Sequence, residues 1–191
     1  MAIELVSWRA EWARDFEALR VRLGDAFGEL AVAIDHIGST SVPGLAAKDV
    51  IDVQVIVRSL APTDPIAAAC AKADMDELFA DWDDHIPPGW HGDPAAWNKM
   101  FTRPREGERR ANIHIRVAGS PNERYALLFR DFLRADDRLR DAWGTFKRAV
   151  AARADDIDAY LDVKDPATDV VMVSAERWAA DRGWHVTRDD A

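Results

Sequence analysis

One cysteine in 191 residues, Cys70, has no partner for an intrachain disulfide, and one sulfur is too few for a thiolate metal cluster. Its surroundings, "IAAACAKA", read as the apolar face of a helix, where a buried, inert thiol is expected. Long apolar runs are missing too. The longest, "VIDVQVIV" and "ELAVAI", fall far short of the roughly 20 residues that cross a bilayer, and the N-terminus has no basic stretch ahead of an apolar signal core. A cytoplasmic protein with no membrane partner is the expectation. Positive charge is in deficit: 25 Lys+Arg against 34 Asp+Glu give a formal net charge of -9. That balance argues against a nucleic-acid partner, because phosphate backbones recruit basic surfaces. Apolar residues are plentiful, at 48% of the chain, enough to bury the core of one domain spanning 1–191. No internal repeat, low-complexity stretch or linker divides it.

The deficit of positive charge is uneven. Between Lys99 and Arg116 the residues Lys99, Arg103, Arg105, Arg109, Arg110 and Arg116 face only Glu106 and Glu108. A short basic segment on an acidic protein suits a small anion, and equally suits a solvated charged hairpin.

Periodicity outlines the elements. Trp8, Trp12, Phe16, Leu19 and Leu23 recur at spacings of three and four, which predicts an amphipathic helix packed through an aromatic stripe, with Ser7 as a candidate N-cap. "LAVAIDHIG" reads as a strand ending at the glycine. In the next strand, Val50 to Val57, the period of two puts Ile51, Val53, Val55 and Val57 on one face and Asp52, Gln54 and Ile56 on the other. Thr63 or Asp64, followed by Pro65, opens a second helix. "ADWDDHIPPGWHGDPAAW" reads as a long irregular loop suited to a lid or binding role. "NKMFTR" and "ANIHIRV" flank the turn-forming "PREGER" and predict a hairpin. Ser120 and Pro121 start another helix, and two more are expected over 139–154 and from about Pro166 to Asp181.

The stretch "DHIGSTSVPGLAAKDVIDVQVIV" carries the chemistry. A Gly-Ser turn at the end of a strand leaves backbone N–H groups and a hydroxyl exposed, a nest that binds phosphate oxygens. One carboxylate, Asp52, lies in the strand that follows. Polymerase-like nucleotidyltransferases use this order, the phosphates lying on such a loop and acidic residues on the next strand holding bridging Mg²⁺. A structural role is open at each position: Asp52 could accept bonds from loop N–H groups or pair with Lys48, and His36 and His114 could be satisfied core histidines.

The longer string "HIGSTSVPGLAAKDVIDVQV" resembles the signature of the GrpB family, small bacterial proteins of nucleotidyltransferase fold, some fused to dephospho-CoA kinase. "VSWRAEWARDFEALRVRL", "NIHIRV", "LLFRDFLRAD", "YLDVKD" and "AERWA" extend the likeness over nearly the whole chain. The resemblance implies an α+β domain, a small mixed β-sheet flanked by α-helices in a nucleotidyltransferase-like arrangement. It also implies a nucleotide or other small phosphorylated ligand. Gly38, Ser39 and Ser41 would hold phosphate oxygens, Lys48 with Arg110 or Arg116 would neutralise them, and Asp52, Gln54 and His114 would place Mg²⁺ or Mn²⁺. Asp52 and His114 would be the catalytic pair, His114 as metal ligand or general base. The sequence departs from the active pattern at Gln54, where a second carboxylate is expected, since two metals need several anionic ligands. Two functions therefore stand open: nucleotidyl transfer to a small acceptor, and a catalytically degenerate nucleotide or phosphate binder accessory to another enzyme. A metal pair of His36 and His114 serving hydrolysis or phosphotransfer is a third.

Overall fold

Helix α1 (Glu11–Phe27) buries Trp12, Leu19, Leu23 and Phe27 along one stripe, as the spacing predicts. It starts later than Ser7, on Ala10 with no side-chain cap. The reason is a bridge between Val6 and Ala47, two reciprocal backbone bonds of 2.9 and 3.0 Å that hold the entry strand extended. These features come from a computed structural model, which describes residues 3–82 and 84–187.

The remaining elements are β1 (Ala31–Ile37), β2 (Ile51–Val57), α2 (Thr63–Lys72), β3 (Phe79–Trp82), β4 (Lys99–Thr102), β5 (Ala111–Val117), α3 (Pro121–Ala135), α4 (Asp137–Ala151) and α5 (Ile157–Arg182). The five strands form one mixed sheet in the order β1-β2-β5-β4-β3. β2 and β5 run parallel, and the other neighbours are antiparallel. The expected hairpin is β4 with β5, Met100 opposite Ile115. The first residues of the expected irregular loop instead form the edge strand β3, with Trp82 opposite Lys99. A mixed α+β fold is the result.

Side-chain alternation gives the sheet two unlike faces. Ile51, Val53, Val55 and Val57 of β2, with Ile113 and Ile115 of β5, pack on α1 and α2 in one core that includes Leu19, with Phe16 at its edge and Cys70 inside it. Cross-strand register puts Asp35, Asp52, Gln54, Asn112, His114 and Arg116 together on the opposite face. A second helical layer closes over that side. Leu133 of α3 and Trp143 of α4 pack on Val42 and Leu45 of the loop after β1, and Leu128 and Phe132 of α3 pack on Met172 and Ala175 of α5.

Caps fix these helices. Ser120 accepts from Glu123 N with Pro121 in the first turn, as expected. Asp136 caps α4 and Asp156 caps α5, so both begin before the residues that the apolar pattern marked. α5 runs through Pro166 instead of starting there; the ring removes one backbone donor, and a long apolar stripe keeps the helix whole. No helix among the described residues is long and apolar enough to cross a membrane.

Candidate functional site

Gly38 ends β1 at φ 68° and ψ -171°, a backbone region that essentially only glycine enters. A side chain there would overlap the Asp52 carboxylate, so the loop lies directly against that acid. The loop is tightly self-bonded. Ser41 Oγ donates to the Gly38 carbonyl at 2.6 Å, and the Ser41 carbonyl accepts from Arg134 at 2.7 and 3.0 Å. Ser41 thus holds the turn from within, while Ser39 Oγ accepts from Lys147 Nζ at 2.6 Å.

Lys147 lies outside the motifs that the sequence singles out. It is 3% exposed on α4, and it also donates to the Ala46 carbonyl at 2.7 Å. An ammonium has three donors, so a third proton is left for another acceptor. Burial, and then the neighbouring charge of Lys164, push its pKa down to about 7. Lys48 is lowered as well, chiefly by burial, with Asp52 pulling the other way. It lies over the Tyr160 ring at 5.9 Å.

Asp52 sits among these cations. Its Oδ1 accepts from Asn112 Nδ2 at 2.8 Å. Burial raises its pKa, and the Asn112 bond, Lys48, Lys164 and Lys147 each offset part of that rise. Lys164 pairs with its neighbour Asp165 at 2.6 Å, and the charge of Arg110, itself exposed, is felt at Lys48. Lys48, Lys147, Lys164 and Arg110 thus act on one another, with two carboxylates, Asp52 and Asp165, between them in charge. Positive charge is in excess.

The other half of the polar face is a closed network. Gln54, fully buried, donates through Nε2 to Asp35 Oδ2 at 3.0 Å and accepts at Oε1 from Arg116 Nη1 at 2.9 Å. Arg116 also grips Asp84 at 2.7 and 3.1 Å, and Lys99 donates to the same carboxylate at 2.7 Å. Burial alone would raise Asp84, but Arg116 and Lys99 outweigh it and hold its carboxyl far below the usual range. His114 lies beside them with its ring 5.5 Å from Phe101 and its buried Nδ1 without a protein partner among the described residues. Burial, then Arg116 and Lys99, keep His114 neutral. His36 is apart: it stacks on Phe16 at 4.6 Å, bonds Thr40 Oγ1 at 2.9 Å, and burial with Arg134 and Arg130 lowers its pKa to about 4.

These residues do not fit a two-metal centre. Asp52 is one carboxylate amid lysines, and the carbonyl oxygen of Gln54 is taken by a guanidinium that repels a cation. No group of three His, Cys, Asp or Glu side chains suited to an ion occurs among the described residues. The basic segment between Lys99 and Arg116 is also largely spent on carboxylates elsewhere: Arg105 on Asp74, Arg109 on Asp15 and Asp49, Lys99 and Arg116 on Asp84. The excess positive charge comes from Lys147 of α4, Lys164 of α5 and Lys48 of the loop before β2, with Arg110 added from the basic segment. A signal for it exists in the sequence: Lys147 and Lys164 each follow a buried aromatic, Trp143 and Tyr160, by four residues, and so fall on a core-facing stripe.

Comparison with known proteins gives the fold a context. The profile of the GrpB protein family matches residues 2–173. The chain is similar to a dephospho-CoA kinase of Mycolicibacterium paratuberculosis, 38% identical over 195 aligned positions covering 95% of this chain and 48% of the relative. It is similar to the UPF0157 protein YqkA of Bacillus subtilis, 32% identical, covering 94% of this chain and 49% of the relative. The chain thus spans about half the length of these curated relatives. The crystal structure of conserved protein GrpB from Enterococcus faecalis superposes with a TM-score of 0.69 at 25% identity, over 95% of this chain and 100% of that one.

Proposed function

The chain belongs to the GrpB family, and from that premise we propose that it binds a small phosphorylated ligand of nucleotide class at the Ser39 loop, on a nucleotidyltransferase-like sheet that lacks a transferase metal centre. One observation carries this reading: Lys147 bonds Ser39 of the Gly-Ser turn at 2.6 Å, where the charges of Lys48, Lys164 and Arg110 are offset by only two carboxylates, Asp52 and Asp165. Buried positive charge without enough counter-charge is costly, and a bound phosphate supplies it. Ser39 and the third donor of Lys147 meet the ligand, Lys48 and Lys164 neutralise it, and Arg110 stands at the rim. Asp52 partly balances the lysines before an anion arrives. The relatives named dephospho-CoA kinase agree with a nucleotide-bearing ligand. The chain contains no G-x-x-x-x-G-K-[ST] segment, so phosphoryl transfer from ATP is not part of the proposal.

A second reading, metal-dependent nucleotidyl transfer, draws on Asp35, which shares the sheet face one residue pair from Asp52 and could serve as the missing carboxylate if Gln54 swung away. Calorimetric titration with pyrophosphate and ATP, with and without Mg²⁺, separates the two. Binding is expected without Mg²⁺, weakening with salt as an ionic site must. Lys147→Met is expected to weaken it about tenfold or more, the loss of a charged hydrogen bond, and Asp52→Asn to tighten it by removing a like charge. Binding that needs Mg²⁺ and disappears in Asp52→Asn would establish the transferase reading. No binding at millimolar ligand under either condition would end the anion-site reading.

A further inference from the structure

Asp84 occupies a place that suits a phosphate better than a carboxylate. Lys99 of β4 donates to its Oδ1 at 2.7 Å, and Arg116 of β5 reaches its Oδ2 through Nη2 at 2.7 Å and Nε at 3.1 Å. A guanidinium and an ammonium closing on one group is the geometry with which proteins grip phosphate. Both cations are buried. Among the described residues, two positive charges there meet one negative charge, since the neutral Gln54 stands between Arg116 and Asp35. A phosphate group, with up to two charges and three acceptor oxygens, balances the pair more completely.

The carboxylate is delivered by a segment with little to hold it. No residue from 85 to 96 is buried, and segments with few buried contacts open at low free-energy cost. Trp97 anchors its far end, buried and held through its carbonyl by Asn122 at 2.8 Å. Its start is pinned through polar side chains, Asp84 as described and His85, which bonds Asp169 of α5 at 2.8 Å.

The two cations share a sheet face with the lysine cluster. Gln54, which bonds Arg116, lies two residues along β2 from Asp52, a step of about 7 Å. The charge of Asp52 is felt at Lys99. Asn112 and His114, on the neighbouring strand, are only half-buried, so water reaches the face between the two groups.

We infer that Lys99 and Arg116 form a second anion subsite on this face and that Asp84 is its built-in occupant: a chain of three or more phosphates, seated at Ser39 and Lys147, displaces the Asp84 carboxylate and frees the start of segment 85–96. The inference rests on the phosphate reading above and extends it from a single anionic group to a polyphosphate chain. Pyrophosphate is shorter than the separation of the two subsites and leaves Asp84 in place.

Calorimetric titration of tripolyphosphate and of pyrophosphate, into the wild-type protein and Asp84→Asn, tests this. Asp84→Asn removes the competing charge, so tripolyphosphate is expected to bind about tenfold or more tightly. Pyrophosphate should gain only about threefold, the effect of deleting one charge some 7 Å away in water. If the variant does not fold, the wild-type protein decides: in nitrogen–proton NMR spectra the amides of residues 85–96 should shift with tripolyphosphate and stay in place with pyrophosphate. Equal gains for the two ligands, or amides unmoved by tripolyphosphate, overturn the inference and leave the phosphate site intact. Failure of pyrophosphate itself to bind the wild-type protein removes the site on which both depend.

Discussion

Gln54→Asp is expected to lower the stability of the fold by about 3 kcal/mol, with no recovery on adding Mg²⁺. Gln54 is fully buried and both ends of its amide are engaged, one by Asp35 and the other by Arg116. An aspartate is shorter by one methylene and draws back from Arg116, leaving that donor unpaired in the interior. Its charge also faces Asp35, which loses the amide donor and gains a repulsive neighbour. Two carboxylates so close share a proton, so one of the pair titrates well above its ordinary range. The stability lost at neutral pH should therefore return in part as the pH falls and the pair takes up that proton. Urea unfolding at several pH values, with and without Mg²⁺, measures this. Retained stability with tighter Mg²⁺ binding would mean that the site is a metal centre lacking only its second acid.

Gly38→Ala should be more damaging still, by roughly 3–5 kcal/mol, combining backbone strain with overpacking. At φ 68° and ψ -171° an alanine is strained whatever surrounds it, and its methyl group would fall on the Asp52 carboxylate. Either Asp52 must leave its bond with Asn112 or the loop must move, and the second route draws Ser39 away from Lys147. Gly107→Ala is the control. Gly107 also has a positive φ, 90°, but nothing stands where its methyl group would go, so only the backbone cost of about 1–3 kcal/mol is expected. The difference between the two variants is the steric cost of the loop-to-acid contact. Equal losses would show that Gly38 is needed only for its turn, and that Asp52 is not pressed against it.

The two faces of β2 are legible because a period of two permits only one partition of Ile51, Asp52, Val53 and Gln54. The helix stripe through Trp12, Leu19 and Leu23 is legible for the same kind of reason. Helix starts are less so: Ser7 looks like a cap, but the bridge from Val6 to Ala47 that displaces it joins residues far apart in sequence. The same limit applies to charge. Arg116 and Lys99 read as free cations near a ligand until Asp84, from the loop before β4, is seen between them. Arg109 reads the same way until Asp15 and Asp49 close on it. Local composition counts charges but does not pair them. Lys147 and Lys164 do not stand out in the sequence because a lysine within a charged helix is usually solvated, and only their spacing from Trp143 and Tyr160 marks them as core-facing. The Gly-Ser turn and Asp52, by contrast, lie within one short stretch, and the structure sets them in direct contact.

Proton uptake on ligand binding tests the lysine cluster most directly. Burial and neighbouring lysines bring Lys147 down to about 7 in the free protein; an anion bound beside it favours the charged form and raises that value again. At pH 8 free Lys147 is mostly neutral, so binding should draw in on the order of one proton. The affinity should then strengthen as the pH falls from about 9 toward 7, the interval over which the free lysine gains its own proton. Calorimetry of pyrophosphate binding at pH 8, in buffers of different ionisation enthalpy, reads the proton count directly. Uptake approaching one proton in the native protein, abolished in Lys147→Met, is the result this account predicts; binding with no proton uptake, or uptake unchanged in Lys147→Met, would contradict it.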